Sequence, residues 1–220
     1  MTCDDHQVNI YQAGLYDAVL KVADIAHNEV TQTIKVHVTE NQDTDYVRIK
    51  DYIPSLFVDL KYATKDNFTG QVIYDFNDAY LRYGTVKKLK QVQEELLKQG
   101  YSLKIWDAYR PFDAQKKLWE VVSDSKYVAN PAKGPRSHNL GGTVDVTLVR
   151  QDGTNVKMPT DFDDFSQKAD RYYEDIDAEA VKNVRILEKA MDKYGMTGYK
   201  NEWWDYSDTK VYKFEDFLPE

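Results

Sequence analysis

The run TVDVTLV at residues 143–149 constrains the fold more than any other stretch of the chain. It is short, mostly apolar and rich in β-branched residues, a composition typical of a buried strand. Asp145 lies near the start of this run, where a carboxylate without a partner would cost free energy. We therefore expect a central strand that carries one acid, and we expect that acid to have a partner.

Helical and strand-like patterns alternate along the remainder of the chain. They predict, in chain order, a helix over 9–28, a strand over 33–40, a helix over 84–100, a strand over 101–106, a helix through Leu118 and Val122, and a helix over 177–194. Thr85 is placed to cap the third of these elements, Gly100 to end it, and Gly195 to end the last. Such a mixture predicts an α+β fold with a small central antiparallel sheet flanked by helices.

The polar segment ENQDTD at residues 40–45 is the best candidate for a linker. Residues 1–45 are then an N-terminal extension with one helix and one strand, and residues 46–220 form the main domain. A chain of 220 residues is long enough for one large domain with a sizeable core.

Charge and cysteine content bear on the partners and the compartment. The net charge is −8, with 29 Lys and Arg against 37 Asp and Glu, which argues against nucleic acid as a partner. No apolar run approaches the roughly 20 residues of a membrane helix.

The one cysteine, Cys3, cannot form an internal disulfide, which suits the cytoplasm. If the protein is instead exported to the cell envelope, Cys3 is a candidate lipid anchor. Nothing in the sequence predicts an oligomer.

The main domain contains a single histidine, His138, because the other three lie in the extension. Asp145 follows it by seven residues, and Gly141 and Gly142 between them allow the chain to fold tightly. The two side chains can therefore meet, and a histidine nitrogen with a carboxylate oxygen forms half of a zinc site. The alternative is a structural histidine, the commoner role of a lone one.

The segment NEWWDYSD, residues 201–208, places Glu202 and Asp205 around two tryptophans. In a flat strand, residues three apart face opposite sides of the sheet. For both acids to reach one site the backbone must bend, and packing of Trp203 and Trp204 can hold the bend. The alternative is a pair of core aromatics flanked by two solvated acids.

Arg110 precedes a proline in the segment WDAYRP, residues 106–111. One interpretation is a fixed guanidinium at the rim of a cleft, placed to meet an oxyanion or a carboxylate. The other is a surface arginine paired with Asp107.

Taken together, these segments resemble the D-alanyl-D-alanine dipeptidases, zinc peptidases that include the vancomycin-resistance dipeptidases. The resemblance covers most of residues 46–208. It rests on motifs in a fixed order: LKYATKDNFTG at 60–70, WDAYRP at 106–111, SHNLGGTVDVTL at 137–148, FD at 162–163 and EWW at 202–204. An ordered set of this kind is highly specific.

The resemblance implies one zinc ion per chain and a role for each matching residue. His138 and Asp145 correspond to zinc ligands, Glu202 to the general base and Arg110 to the group that stabilises the oxyanion. The remaining correspondences concern the two ends of the substrate: Tyr62 and Asp163 match positions that hold its free amino group, and Ser137 matches one near its carboxylate.

One position departs from the family motif. The family ends in Glu-Trp-Trp-His, and that histidine is the third zinc ligand, whereas this chain has Asp205. An aspartate has a shorter reach than the outer imidazole nitrogen and adds a negative charge. The resemblance therefore implies either a closer approach of the backbone to the metal, or a site that is weak, selects another metal or is inactive.

The expected function is zinc-dependent hydrolysis of short cell-wall peptides that contain D-alanine. One alternative is a D,D-carboxypeptidase that trims peptidoglycan stem peptides and needs a more open cleft. A second is a catalytically impaired relative that binds cell-wall peptides without cutting them. A glycosidase that uses two carboxylates is the least favoured, because it would leave His138 and Asp145 without a role.

Overall fold

The computed structural model describes residues 1–10, 12–125 and 127–219. The chain divides into two compact units, Met1–Gln42 and Asp43–Glu220. Among the described residues there is no helix whose length and hydrophobicity would let it cross a lipid bilayer.

The first unit is an antiparallel sheet of three strands in the order β1-β2-β3. These strands are β1 (Thr2–Asp4), β2 (Gly14–Ala23) and β3 (Glu29–Val38). The predicted strand at 33–40 is confirmed, but the predicted helix over 9–28 is wrong. The apolar residues of 9–28 fit both the helical period and the alternating period of a strand, and the fold has a strand there. Ala18 lies opposite Ile34, and Val22 lies opposite Val30, on the same face of the sheet. Cys3, on β1, is exposed.

The second unit is built on a sheet of five strands in the order β5-β7-β8-β10-β9. The elements of this unit, in chain order, are β4 (Tyr46–Arg48), α1 (Ile49–Tyr52), β5 (Phe57–Val58), β6 (Tyr80–Arg82), α2 (Tyr83–Leu97), β7 (Tyr101–Asp107), α3 (Phe112–Val121), β8 (Thr143–Arg150), α4 (Ala178–Lys193), β9 (Met196–Gly198) and β10 (Asp205–Asp208). Strands β4 and β6 form a separate antiparallel pair. The fold is α+β as predicted. The large sheet is antiparallel except at one edge, where β5 runs parallel to β7.

Strand β8 is the buried centre of the sheet, as the sequence predicts. Every residue from Thr143 to Val149 is buried, and the strand pairs with β7 on one side and β10 on the other. Helices α2 and α4 pack on this sheet and on each other. Their apolar stripes, including Leu89 and Leu187, are fully buried. The core therefore holds the strand that carries Asp145 rigidly in place.

Both long helices are confirmed, with corrections at their ends. Gly100 and Gly195 follow them with φ of 83° and 77°, the left-handed conformation that favours glycine. Thr85 does not cap α2, which begins at Tyr83. It lies inside the first turn, where its hydroxyl donates to Asp208 Oδ2 at 2.8 Å. At the end of α3, Leu118 is buried within the helix and Val122 is its C-cap.

Candidate metal centre and active site

A cavity of about 490 Å³ is lined by all eight residues that the sequence singles out. They are Tyr62, Arg110, Ser137, His138, Asp145, Asp163, Glu202 and Asp205. A larger cavity, about 790 Å³, shares Asp163 with it and is otherwise lined largely by lysine, acidic and apolar side chains. The smaller cavity is the candidate active site, because it brings together the groups that can carry chemistry.

Three aspartates form a row across the middle of the sheet. Asp145 on β8 lies opposite Asp205 on β10 and, on its other side, opposite Asp107 at the end of β7. Directly opposite residues point to the same face, and like charges in such positions repel. This row needs positive partners.

His138 faces two of these acids from a short 3₁₀ turn, Ser137–Leu140. The turn ends at Gly141, with φ of 75°, where a Cβ atom would collide with the Tyr46 ring. His138 Nε2 lies 3.5 Å from Asp145 Oδ1 and 3.5 Å from Asp205 Oδ2. Two ligand atoms at about 2.1 Å from a tetrahedral zinc ion are about 3.4 Å apart, so both separations match those of two zinc ligands.

The hydrogen bonds around these three side chains also suit a cation. His138 Nδ1 lies 2.8 Å from the carbonyl oxygen of Ala108, which can only accept, so Nδ1 carries the proton. In the neutral ring, Nε2 is then left with its lone pair toward the carboxylates. Asp145 Oδ1 is buried and has no hydrogen-bond partner among the described residues. One nitrogen and two carboxylate oxygens are a donor set that zinc accepts.

Asp107 is also close enough to His138 and Asp145 to be considered as a ligand, because the three offer atoms within 4.8 Å of one another. Its carboxylate, however, already accepts four hydrogen bonds. Oδ1 accepts from the Tyr74 hydroxyl at 2.6 Å and from the Ala108 amide at 2.9 Å. Oδ2 accepts from Arg110 Nε at 3.0 Å and Nη2 at 2.7 Å. These donors occupy its lone pairs, so Asp205 is the better third ligand.

Arg110 is paired with Asp107, as one interpretation of the sequence has it, but it is not at the surface. Its side chain is 12% exposed, and Nη1 also donates to Gln115 Oε1 at 3.0 Å. Asp107 and Gln115 together use three of the five N–H groups of the guanidinium. Within the described part of the chain the other two have no hydrogen-bond acceptor, so a ligand in the cavity can use them.

Tyr62, Asp163 and Ser137 line the same cavity. The Tyr62 hydroxyl donates to Asp163 Oδ2 at 2.7 Å, which leaves the tyrosine oxygen free to accept. Ser137 is exposed and has a φ of 49°. A short ligand in this cavity thus meets an acid at Asp163 and a hydroxyl donor at Ser137.

Glu202 and Asp205 reach the cavity because the chain between β9 and β10 turns instead of running flat. The Glu202 amide donates to the Tyr199 carbonyl at 3.3 Å, and the Trp204 carbonyl accepts from Val146 at 3.0 Å. Trp203 and Trp204 are fully buried. The tryptophans are therefore core residues, but the acids beside them are not solvated, since the Asp205 side chain is only 14% exposed.

Four acids line the cavity, and burial and their mutual repulsion change their pKa values. Burial raises the pKa of Glu202 to about 9, and three neighbouring aspartates add to the rise. Burial raises the pKa of Asp163 to about 7, against the effect of the hydrogen bond from Tyr62. For His138, burial alone would lower the pKa, but the nearby carboxylates outweigh it and raise the pKa well above its ordinary value. The cavity therefore favours an additional positive charge.

Sequence reasoning missed two residues that organise the cavity. Asp107 was noted only as a partner of Arg110, because its place beside Asp145 depends on strand register. Arg171, described below, contacts the loop that carries Glu202 and stands in a segment with no distinguishing pattern. The Asp-x-x-Arg spacing of WDAYR was the one feature that could have drawn attention to Asp107.

A buried histidine that faces two carboxylates, beside a further acid and an arginine, is an arrangement typical of metal-dependent hydrolases. Comparison with known proteins agrees. The family model described as D-ala-D-ala dipeptidase, peptidase M15, matches residues 42–217.

Two curated relatives, both named D-alanyl-D-alanine dipeptidase, are 31% identical to the chain. The one from Escherichia coli (strain K12) aligns over 163 residues, 74% of this chain and 84% of the relative. The one from Enterococcus faecalis (strain ATCC 700802 / V583) aligns over 168 residues, 67% of this chain and 83% of the relative. A crystal structure of a mutant vancomycin-resistance D,D-pentapeptidase, VanY, in complex with Zn(II) shares 15% identity over 61% of this chain and 76% of that one, with a TM-score of 0.41. The chain belongs to the D-ala-D-ala dipeptidase family of M15 metallopeptidases.

The raised pKa values predict how the metal-free protein responds to pH. Asp163 and Glu202 hold their protons more tightly in the folded than in the unfolded chain, whose values are near 3.8 and 4.5. His138 acts in the same direction. The folded state therefore binds more protons, and its free energy of unfolding in the presence of a chelator should fall by about 1 kcal/mol or more as the pH rises from about 5 to about 8.

Urea unfolding of chelated protein at several pH values measures this change. Glu202→Gln removes one of the titrating groups and should flatten the decline. A free energy of unfolding that stays level or rises over this range in the parent protein would contradict the electrostatic description.

Proposed function

We propose that this chain is a zinc-dependent dipeptidase that hydrolyses D-Ala-D-Ala or a similar short cell-wall dipeptide. The observation that carries the proposal is the position of His138 Nε2, 3.5 Å from an oxygen of Asp145 and 3.5 Å from one of Asp205. Glu202, Arg110 and the substrate-binding candidates line the same cavity. Relatives named D-alanyl-D-alanine dipeptidase support the choice of substrate.

His138, Asp145 and Asp205 would hold one zinc ion. Zinc, when bound, supplies a Lewis acid toward the scissile carbonyl and makes water more acidic. With one neutral histidine and two carboxylates, the charge of the ligand set cancels that of the ion. The two-histidine set of the resembled family leaves one positive charge.

Glu202 is the general base. It takes a proton from the attacking water and passes it to the leaving amine. Burial and three aspartates hold its pKa near 9 in the metal-free cavity, so the carboxylate needs positive charge nearby to act as a base at neutral pH. The base and the metal ligands therefore depend on one another.

Arg110 stabilises the oxyanion that forms at the scissile carbonyl. Asp107 binds its Nε and one Nη2 proton, which fixes the plane of the guanidinium and directs the unused N–H groups. A donor fixed before the reaction stabilises developing charge without reorganising. Asp107 thus positions Arg110 and does not itself touch the substrate.

Asp163 and Tyr62 bind the free ammonium of the dipeptide. The tyrosine hydroxyl donates to Asp163 Oδ2, so the remaining acceptors of both groups can face one cation. Ser137 donates toward the substrate carboxylate. An acid at one end and a donor at the other select a short zwitterion.

The substrate's free amino group is tested by changing Asp163. Asp163→Asn keeps the shape of the side chain and removes its charge. We expect KM for D-Ala-D-Ala to rise about tenfold or more, the effect of losing a charged hydrogen bond of roughly 1.5–3 kcal/mol. KM for an N-acylated D-Ala-D-Ala peptide, which presents no ammonium, should change little.

Steady-state release of free D-alanine from both substrates provides the measurement. Equal losses on the two substrates would favour a D,D-carboxypeptidase that acts on longer peptides. Zinc-loaded parent protein that binds the dipeptide and releases no D-alanine would contradict the proposal and favour a cell-wall-peptide binding protein.

The third ligand is tested by two substitutions at Asp205. Asp205→Ala should lose zinc, whereas Asp205→His should keep it or bind it more tightly. Because the histidine variant leaves a net positive charge at the metal, its activity optimum should lie at lower pH than that of the parent. The oxygen-richer parent should also accept Mn²⁺ better than the histidine variant does.

Zinc content after dialysis and the pH profile of D-alanine release give both readouts. Asn201→Ala is the matched control, because Asn201 is exposed and lies between β9 and β10, as Glu202 does. If Asp205→Ala retains as much zinc as the parent, Asp205 is only a neighbour of the metal.

A further inference from the structure

Residues 199–205 lead from the end of β9 to the first residue of β10, and this loop carries two residues of the proposed mechanism, Glu202 and Asp205. One arginine outside the loop donates hydrogen bonds to three of its carbonyl oxygens. We propose that Arg171 is a positioning residue that sets the bend of this loop and so places both acids in the cavity. The role of the two acids rests on the proposed function. The hydrogen bonds by which Arg171 holds the loop backbone are called the clamp, and this part of the proposal rests on the contacts of Arg171 alone.

The guanidinium of Arg171 meets three carbonyl oxygens of the loop. Nε donates to Tyr199 at 2.7 Å, and Nη2 donates to Trp203 at 3.0 Å and to Asp205 at 2.8 Å. Carbonyls of residues this far apart along a flat strand cannot converge on one planar group. They do so here because the chain curves around the guanidinium.

Arg171 holds the backbone of the loop, whereas the two side chains that take part in the proposed mechanism face the cavity. Glu202 and Asp205 both line the candidate active-site cavity. The carbonyl that Arg171 holds at Asp205 belongs to the residue whose carboxylate lies 3.5 Å from His138 Nε2. A shift of the carbonyl therefore moves the proposed ligand with it.

The guanidinium of Arg171 is held in place by Glu188 and Tyr206. Nη1 donates to Glu188 Oε1 at 2.9 Å and to the Tyr206 hydroxyl at 3.0 Å, and the guanidinium stacks over the Tyr206 ring at 4.3 Å. Glu188 lies on α4 and also accepts from the Tyr173 hydroxyl at 2.7 Å. The five N–H groups of the arginine are thus all engaged, which ties the loop to the longest helix of the unit.

The backbone beside Arg171 reinforces the clamp. Its amide donates to the Lys200 carbonyl at 3.1 Å, and the Trp203 amide donates to Ala169 at 2.9 Å. The segment around Arg171 and the loop therefore run side by side. The guanidinium adds its three hydrogen bonds to these two backbone contacts.

Gly198 provides the space that the guanidinium occupies. A Cβ atom at this position would collide with Arg171 Nε, Cζ and Nη2. Gly198 is not among the glycines with positive φ, so its backbone conformation is open to alanine. The absence of a side chain at 198 serves to admit the arginine, and Gly198→Ala should displace Arg171 while leaving it in the chain.

The test compares three variants with one control. Arg171→Ala removes the clamp, Arg171→Lys keeps the charge but offers one nitrogen in place of a planar fork, and Gly198→Ala pushes the arginine away. Arg185→Ala is the matched control. Arg185 donates to the same glutamate at 2.6 Å, but within the described part of the chain it does not bind the loop carbonyls.

We expect kcat for D-Ala-D-Ala to fall about 10²-fold in Arg171→Ala, the loss typical of a displaced catalytic group. KM should change little, since Tyr62 and Asp163 lie on other segments. Gly198→Ala should show the same division between kcat and KM, and Arg171→Lys a smaller loss. Guanidinium ion at millimolar concentration should restore part of kcat in Arg171→Ala, and Arg185→Ala should match the parent.

Zinc affinity, measured by competition with a chromophoric chelator, gives a readout that does not depend on activity. It should weaken in Arg171→Ala and Gly198→Ala, because the Asp205 carboxylate no longer holds its place. Near-UV circular dichroism of the tryptophans establishes that each variant is folded at the assay temperature. If Arg171→Ala does not fold, Gly198→Ala and Arg171→Lys decide.

A purely structural arginine gives a different result. Folded variants with a lowered melting temperature but with the kcat and zinc affinity of the parent would overturn the proposal. If the parent binds zinc but does not hydrolyse the dipeptide, the proposed function fails. A zinc affinity that is weaker in Arg171→Ala and Gly198→Ala than in the parent would still support the clamp.

Discussion

Three neighbouring aspartates in the sheet set the conditions for the rest of the site. Asp107, Asp145 and Asp205 lie side by side across β7, β8 and β10. Buried like charges at this spacing destabilise a sheet unless each has a partner. Asp107 has Arg110 and Tyr74, whereas within the described residues Asp145 and Asp205 share His138 as their ion partner. This unbalanced pair is the observation on which the proposed divalent cation rests.

The same constraint explains how an aspartate can stand where the resembled family has a histidine. A shorter side chain needs a backbone that comes closer, and Asp205 lies directly opposite Asp145 in the sheet. The Asp205 carboxylate consequently lies 3.5 Å from His138 Nε2, the separation of two ligands on one ion. In the proposed zinc site, the added charge changes the electrostatics while all three ligands remain within reach of one ion.

The parts of the fold that depend on local pattern could be predicted, and the parts that depend on register could not. The buried run at 143–149 and the helices α2 and α4 have unambiguous composition or period, and all three were predicted. Residues 9–28 fit both a helical and an alternating pattern, and the pairing of β2 with β3 decides for the strand. Asp107 and Arg171 acquire their roles from strands and loops distant in sequence. The Asp-x-x-Arg spacing of WDAYR points to Asp107 only weakly, and no pattern near Arg171 points to its role. Glu202 and Asp205, in contrast, stand out by their unusual place beside two tryptophans.

The identity of the metal ligands is the central claim, and anomalous diffraction from crystals grown with zinc tests it most directly. Data collected on both sides of the zinc absorption edge locate the ion without reference to activity. We expect one peak per chain about 2.0–2.2 Å from His138 Nε2 and from one carboxylate oxygen each of Asp145 and Asp205. A peak coordinated by Asp107 in place of Asp205, or no peak in this cavity at saturating zinc, would contradict it.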